Sequence, residues 1–262
     1  MEKAIAKIAT FHVVGGGCFG SQYVRWLLKA RARGSVEFDR IRAIDRDPHC
    51  KLARKGPADP SLEIVAADWI EYAAALLRRP VGETAADHWV PSPLSPHILF
   101  LAMLRAARAE GYRLIPAPFL EHPPTPVRFE LPNGNLAISF AEWTCPVNCI
   151  EPEICPATKG PRDWDMKPAL ARHFGGREDQ LSAQVLQCQH LVHGVGTIPF
   201  SEIAAGYARL LEDLKRGLSR VAVATVSSCH GIIGLAELRN SESEAISHDA
   251  DQEQAAGQHH HV

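Results

Sequence analysis

The apolar positions of this chain follow two periods. Over 11–14, 41–44 and 62–66 they form short runs that fit buried strands. Over 21–33, 69–79 and 98–110 they recur every three or four residues, as on one face of a helix. Tyr23, Val24, Leu27 and Leu28 make such a face in the first of these helices, and Gly34 is placed to stop it. Residues 48–60 are polar and rich in breakers, so they predict a loop or a short helix. Residues 88–90 fit a fourth strand, ended by a proline-rich stretch, and Gly111 closes the 98–110 helix.

The period then changes to two. Residues 127–131 and 136–140 alternate, with Asn133-Gly134 between them, a pair that tolerates the positive φ of a hairpin turn. Further on, 184–192 is strand-like and 193–197 reads as a flexible loop. Ser201 is placed to cap a helix whose face is Ile203, Tyr207, Leu210, Leu211 and Leu214, ended by Gly217. Residues 221–226 form a β-branched strand. After Asn240 the chain is polar, which predicts a disordered tail, and His259-His260-His261 belong to it rather than to a metal site.

Strands alternating with helices at both ends predict an α/β fold, a mostly parallel sheet with helices on both faces. Composition narrows the function classes. With 262 residues, 46% of them hydrophobic, the chain can bury a full core. A charged fraction of 22% and a formal net charge of −2 offer no basic face, so a nucleic-acid partner is not expected. The longest apolar run, 98–104, is too short for a bilayer, and no secretory signal precedes it. The expectation is a cytoplasmic protein that acts on a small molecule away from membranes, with a homodimer left open.

One motif carries chemistry. Gly15-x-Gly17-x-x-Gly20 follows a strand and opens a helix. In that context the first glycine permits a tight turn. The second lets a pyrophosphate approach the backbone, and the third lets helix and strand pack. Backbone N–H groups and the helix dipole then hold the phosphates, with Cys18 and Phe19 in the loop. Asp45, at the end of the second strand, is placed to accept hydrogen bonds from a ribose diol and to repel a 2′-phosphate. NAD is therefore expected, while Arg42 and Arg46 leave NADP open. The arrangement is Rossmann-like.

The stretch Val13-Val14-Gly15-Gly16-Gly17-Cys18-Phe19-Gly20, together with Ala43-Ile44-Asp45-Arg46-Asp47-Pro48, resembles the Trk-type NAD-binding domains that regulate potassium transport. Through its triple glycine it is similar, more weakly, to the dehydrogenase module of siroheme synthase. The resemblance covers about a quarter of the chain and implies nucleotide binding through Gly15, Gly17, Gly20 and Asp45. The Trk-type pattern has no counterpart to the cysteine-rich segment.

That segment places Cys145, Cys149 and Cys155 within eleven positions of a chain with seven cysteines. Thiols stay reduced in the cytoplasm, so the cluster points to metal or redox chemistry rather than to disulfides. Its Cys-x3-Cys-x5-Cys spacing matches no standard pattern. Both an iron–sulfur cluster and zinc fit three thiolates, with a fourth ligand from Cys188, Cys229 or a histidine. Ordinary buried cysteines are the competing explanation.

Beyond the later strands, His193, Cys229 and His230 are candidate catalytic groups, as proton donors or an activated thiol. The organisation expected is a dinucleotide-binding half over 1–120, a hairpin and cysteine-rich insertion over 121–180, an α/β segment over 181–240 that completes the sheet, and the tail over 241–262. The function expected is that of an NAD(P)-dependent oxidoreductase with a cysteine-ligated metal centre. The alternatives are a non-catalytic NAD and redox sensor, or an enzyme that handles metal or clusters.

Overall fold

The structure, a computed structural model, describes residues 7–93, 97–119, 121–145, 149–177 and 180–239. The expected tail lies outside the described residues.

The N-terminal part runs β1 (Lys7–Val14), α1 (Cys18–Ala32), β2 (Glu37–Asp45), α2 (Lys51–Lys55), β3 (Leu62–Ala66), α3 (Trp69–Leu77), α4 (Val81–Thr84) and β4 (His88–Val90). Its four strands are parallel, in the order β3-β2-β1-β4. Alternation along β1 divides its side chains between two cores. Phe11 and Val13 pack with Val24, Leu27 and Ala30 of α1, while Val14 joins the core that contains α3. Asp68 caps α3 by accepting from the N–H groups of Ile70 and Glu71.

The chain continues through α5 (Ile98–Ala109), β5 (Leu114–Ala117), β6 (Val127–Glu130), β7 (Leu136–Ser139), α6 (Met166–Phe174), β8 (Ser182–Gln187), β9 (Gln189–Val192), β10 (Val195–Pro199), α7 (Phe200–Lys215), β11 (Arg220–Val226) and β12 (His230–Leu238). These strands do not complete one parallel sheet. β10 pairs antiparallel with β4 and β9 antiparallel with β10, extending the first sheet to β3-β2-β1-β4-β10-β9. A second sheet has the order β6-β7-β12-β11-β8, with β5 also paired to β12. In it only β8 and β11 run parallel. The fold is α/β with two mixed sheets.

Helices α3, α5 and α7 share one core with Trp89 of the first sheet and with Leu186, Val221 and Val223 of the second. The opposite face of the second sheet packs Ala222, Ala224 and Val226 against Met166, Leu170 and Phe174 of α6. Each fully buried leucine or phenylalanine here contributes roughly 1.5–3 kcal/mol over an exposed one. Because β11 is covered on both faces, it reads as a continuous apolar run without alternation.

Several boundaries differ from expectation, each for a local reason. The run over 184–192 is two strands in different sheets, parted at Cys188, whose N–H donates to Val226 O. The expected loop 193–197 is a hairpin turn joined to β10, with His193 at φ 48° and Gly194 at φ 83°. Helix α7 starts at Phe200 after a Pro199 N-cap, not at Ser201. The hairpin 127–140 has Gly134 at φ 78°, as its turn requires, and forms one edge of the second sheet.

Candidate functional site

The glycine loop leaves β1 at Val14 and enters α1 at Cys18. Gly15 has φ 85°, a conformation that disfavours any side chain, and its N–H donates to Ile44 O. A Cβ on Gly20 would stand 1.7 Å from Gly15 O, so the loop closes directly onto the helix. A Cβ on Gly16 would meet Cys50 Sγ at 2.2 Å. Gly17 differs: it is exposed, and a Cβ there would find no atom within 4 Å. It is also the N-cap of α1, whose start has no side-chain cap and no acidic residue in its first turn. The positive end of a 15-residue helix therefore opens onto free space.

Asp45 holds this loop. Its Oδ2 accepts from Gly16 N at 2.7 Å and its Oδ1 from Asp47 N at 3.0 Å. Arg46 is turned to Asp68, with Nε 2.7 Å from the carboxylate. Cys18 is exposed, with Lys51 Nζ 3.4 Å from its sulfur, and Phe19 is half-buried in the first turn. The Trp69 indole donates to Ile44 O at 2.8 Å and lies 3.6 Å from where a Gly15 Cβ would be.

A cleft of about 560 Å3 opens between the two sheets. Pro91 and Ser92, at the carboxyl end of β4, and Tyr23 of α1 are among its lining residues. His190 of β9 lines it from the first sheet, Ser139 and His230 from the second, with Cys188 between β8 and β9 and Cys229 in the β11–β12 turn. The His190 Nε2 accepts from Gly194 N at 2.7 Å, which occupies its basic nitrogen. His230 Nδ1 lies 2.8 Å from Ser139 Oγ. With Ser139 donating to Ala141 O at 3.0 Å, His230 donates from Nδ1 and keeps Nε2 as an acceptor. Desolvation lowers the pKa of both histidines and pushes the Cys188 thiol up to about 12. His193 is exposed at the β9–β10 turn and does not line the cleft. His97 is buried under Gly234, stacked on Phe100, and does not line it either.

The cysteine segment closes a smaller space. Cys145, Cys149 and Cys155 line a cavity of about 10 Å3, and Cys229 from the β11–β12 turn lines it with them. Among the described residues no disulfide links these thiols, and no three ligand groups already stand where they could hold a metal ion. Glu151 anchors the segment. Its carboxylate accepts from Ser227 Oγ, Ser228 N and Cys229 N at 2.5, 2.8 and 3.2 Å, and these bonds hold the residue at φ 52°. Burial raises the Cys145 and Cys229 thiols, Cys229 to about 12 with help from Glu151. Burial thus disfavours the Cys229 thiolate that a nucleophilic role would need. Cys155 is lowered instead, by hydrogen bonding from Thr158.

Residues 97–239 match a family model, AF_1314_C, described as "Uncharacterized protein, C-terminal domain". The chain belongs to this family. No curated protein matches the chain, and no solved structure matches it.

The AF_1314_C region runs from α5 to β12 and contains the whole second sheet and the four thiols of the small cavity. The glycine loop and Asp45 precede it. The cleft is thus walled by the AF_1314_C region on one side and by α1 and the end of β4 on the other. Sequence reasoning named Cys145, Cys149 and Cys155, and offered Cys229 both as a catalytic thiol and, beside Cys188 or a histidine, as a fourth ligand; folding brings Cys229 to the other three. It missed Glu151, Trp143 and Trp164. Nothing in their local sequence marks a carboxylate aimed at a turn 76 residues away or an indole facing a sulfur.

Proposed function

We propose that this chain is an NAD-dependent oxidoreductase whose Rossmann-like N-terminal half binds the dinucleotide and whose inter-sheet cleft holds a small substrate. One observation carries the reading: Pro91 and Ser92, at the carboxyl end of β4, line the cleft, and β4 runs parallel beside β1, whose carboxyl end leads into the glycine loop. Ligands of open parallel sheets bind at such ends.

The chain's own groups support each part. Gly15 and Gly20 shape the turn, and Gly17 leaves the backbone bare for a pyrophosphate at the uncapped start of α1. Asp45 already accepts one amide on each oxygen and retains lone pairs for ribose hydroxyls. Arg46, paired with Asp68, is not free to receive a 2′-phosphate, so NAD is favoured over NADP. Trp69 flanks the loop on the β3 side, where an adenosine would lie. Pro91 and Tyr23, which line the cleft, belong to the elements that flank the loop, β4's end and α1. A nicotinamide there would supply a hydride acceptor or donor. His230 Nε2 would take the proton released when an alcohol or amine is oxidised, a role suited to an imidazole whose pKa burial lowers.

The test is calorimetric titration of the full chain with NAD, NADH and NADP, paired with Trp69 fluorescence and an assay of NADH turnover on small carbonyl compounds. Binding of NAD or NADH that is lost in Gly17→Ala supports the site. Tight binding without turnover would favour a sensor, and absence of binding would overturn both.

A further inference from the structure

The segment between β7 and α6 is poorly explained by packing. Among its described residues the regular pairing is one bridge, Ile154 to Pro161, and Ile150 and Ile154 are exposed. Connections of this length without secondary structure are uncommon in compact domains and need another anchor. Four thiols converge on the small cavity inside it. We infer that Cys145, Cys149, Cys155 and Cys229 together hold a single zinc ion, in a closed site that fastens the cysteine segment to the β11–β12 turn. This inference is independent of nucleotide binding.

Three observations carry it. The cavity, about 10 Å3, is close to the size of one water, which suits one ion and is too small for a multi-iron cluster. A four-thiolate tetrahedron needs each sulfur at about 2.3 Å from zinc, so the sulfurs move inward as the ion enters. Donors for sulfur are already in place. Trp164 Nε1 points at Cys229 Sγ at 3.2 Å, Glu151 N at Cys149 Sγ at 3.4 Å, and Thr158 donates to Cys155. Such outer donors stabilise metal-bound thiolates. Finally, Trp143 lines the same cavity with a buried Nε1 that has no well-formed hydrogen bond and lies toward the Cys145 thiol. Buried donors are rarely left so, and a thiolate beside it would satisfy this one.

The charge balance is explicit. Zinc(II) displaces four S–H protons, which leave to solvent, and the four thiolates with the ion carry a net charge of −2. Arg162, which also lines the cavity, offsets part of that charge. A closed four-sulfur site has no open position, so its role is structural: it shapes the wall that Cys145, Cys149 and Cys229 present to the cleft.

The experiment is elemental analysis of the full chain purified from zinc-supplemented cells, with cobalt(II) substitution of the same protein. One zinc per chain is expected, with strong thiolate-to-cobalt charge-transfer absorbance. Cys229→Ser abolishes both, Cys188→Ser changes neither, and Trp164→Phe weakens zinc binding about tenfold. Wild-type protein without zinc, iron with acid-labile sulfide, or zinc retained in Cys229→Ser would overturn the assignment. The cobalt spectrum of wild-type protein keeps the test decisive if a serine variant fails to fold. NAD titration of the zinc-loaded chain reads the other proposal separately.

Discussion

Gly16 N donates to Asp45 Oδ2 at 2.7 Å, so the carboxylate at the end of β2 is built into the loop that follows β1. The two features that the sequence offered as separate parts of one motif are physically one unit. A change at Asp45 therefore acts on loop shape and on any ribose at once, whereas a change at Gly17 touches neither partner.

Asp45→Asn separates charge from shape. The amide keeps one oxygen for Gly16 N or Asp47 N but turns an NH2 toward the other donor, and it no longer repels a phosphate. NAD affinity should fall by about 1.5–3 kcal/mol, the range for hydrogen bonds to a charged group. NADP affinity should fall less, so the preference between them narrows. Calorimetry with both nucleotides checks this; an unchanged ratio would remove Asp45 from nucleotide selection.

Gly17→Ala and Gly20→Ala should behave oppositely. The Gly17 backbone is extended, at φ −76° and ψ −151°, and open space surrounds its Cβ position, so stability should change by only a few tenths of a kcal/mol. The methyl would nonetheless stand where phosphates approach, and NAD binding should drop at least about tenfold, or roughly 1.4 kcal/mol. In Gly20→Ala the new atom meets the backbone oxygen of Gly15, which cannot swing aside, and the protein should lose about 1–3 kcal/mol of stability. Denaturant unfolding beside nucleotide titration distinguishes the two. Equal NAD affinity in wild type and Gly17→Ala would mean that the glycines serve only the turn.

The glycine loop and the strands around it were legible because their signals are local. A bare turn, a short apolar run and an acid at a strand end each occupy a few consecutive residues. β3 and β4 match their expected bounds for that reason. The second sheet was hidden because its logic is long-range. β8 and β9 share one strand-like stretch yet diverge at Cys188, and β12 looks like the loop after β11 because His230 and Gly231 open it. The partnership of Cys229 with Cys145 depends on Glu151 reaching Ser228 N across the fold, which no spacing rule encodes.

His12 is a polar residue inside the core shared by the first sheet and α7. Its ring bonds Tyr72 Oη at 2.9 Å and Asp87 Oδ2 at 3.1 Å, beside Trp89 and Phe200. His12→Leu strands the buried Asp87 carboxylate and should cost about 1–3 kcal/mol. The double variant His12→Leu, Asp87→Leu should recover part of that loss, since no unpaired group remains. Urea unfolding of the two variants reads the difference; additive losses would show that Asp87 is satisfied without the imidazole.

Acid sensitivity should trace to His97. Its two ring nitrogens are buried without a partner, and burial depresses its pKa from 6.5 to about 3. The folded protein thus keeps the ring neutral, while the unfolded chain protonates it near pH 6.5. Between those values the unfolded state binds one more proton, so stability falls as pH drops through 6.5 and is flat above it. By pH 4 the loss from this residue is on the order of 3 kcal/mol, at about 1.4 kcal/mol per pH unit. His97→Leu keeps the apolar contact with Phe100 and removes the titrating group. Its midpoint of urea unfolding at pH 7 should lie near that of the wild type, and the gap between pH 7 and pH 4 should shrink. If both proteins lose stability equally on acidification, the ring reaches a proton acceptor or water in the folded state, and the buried, unpartnered environment is wrong.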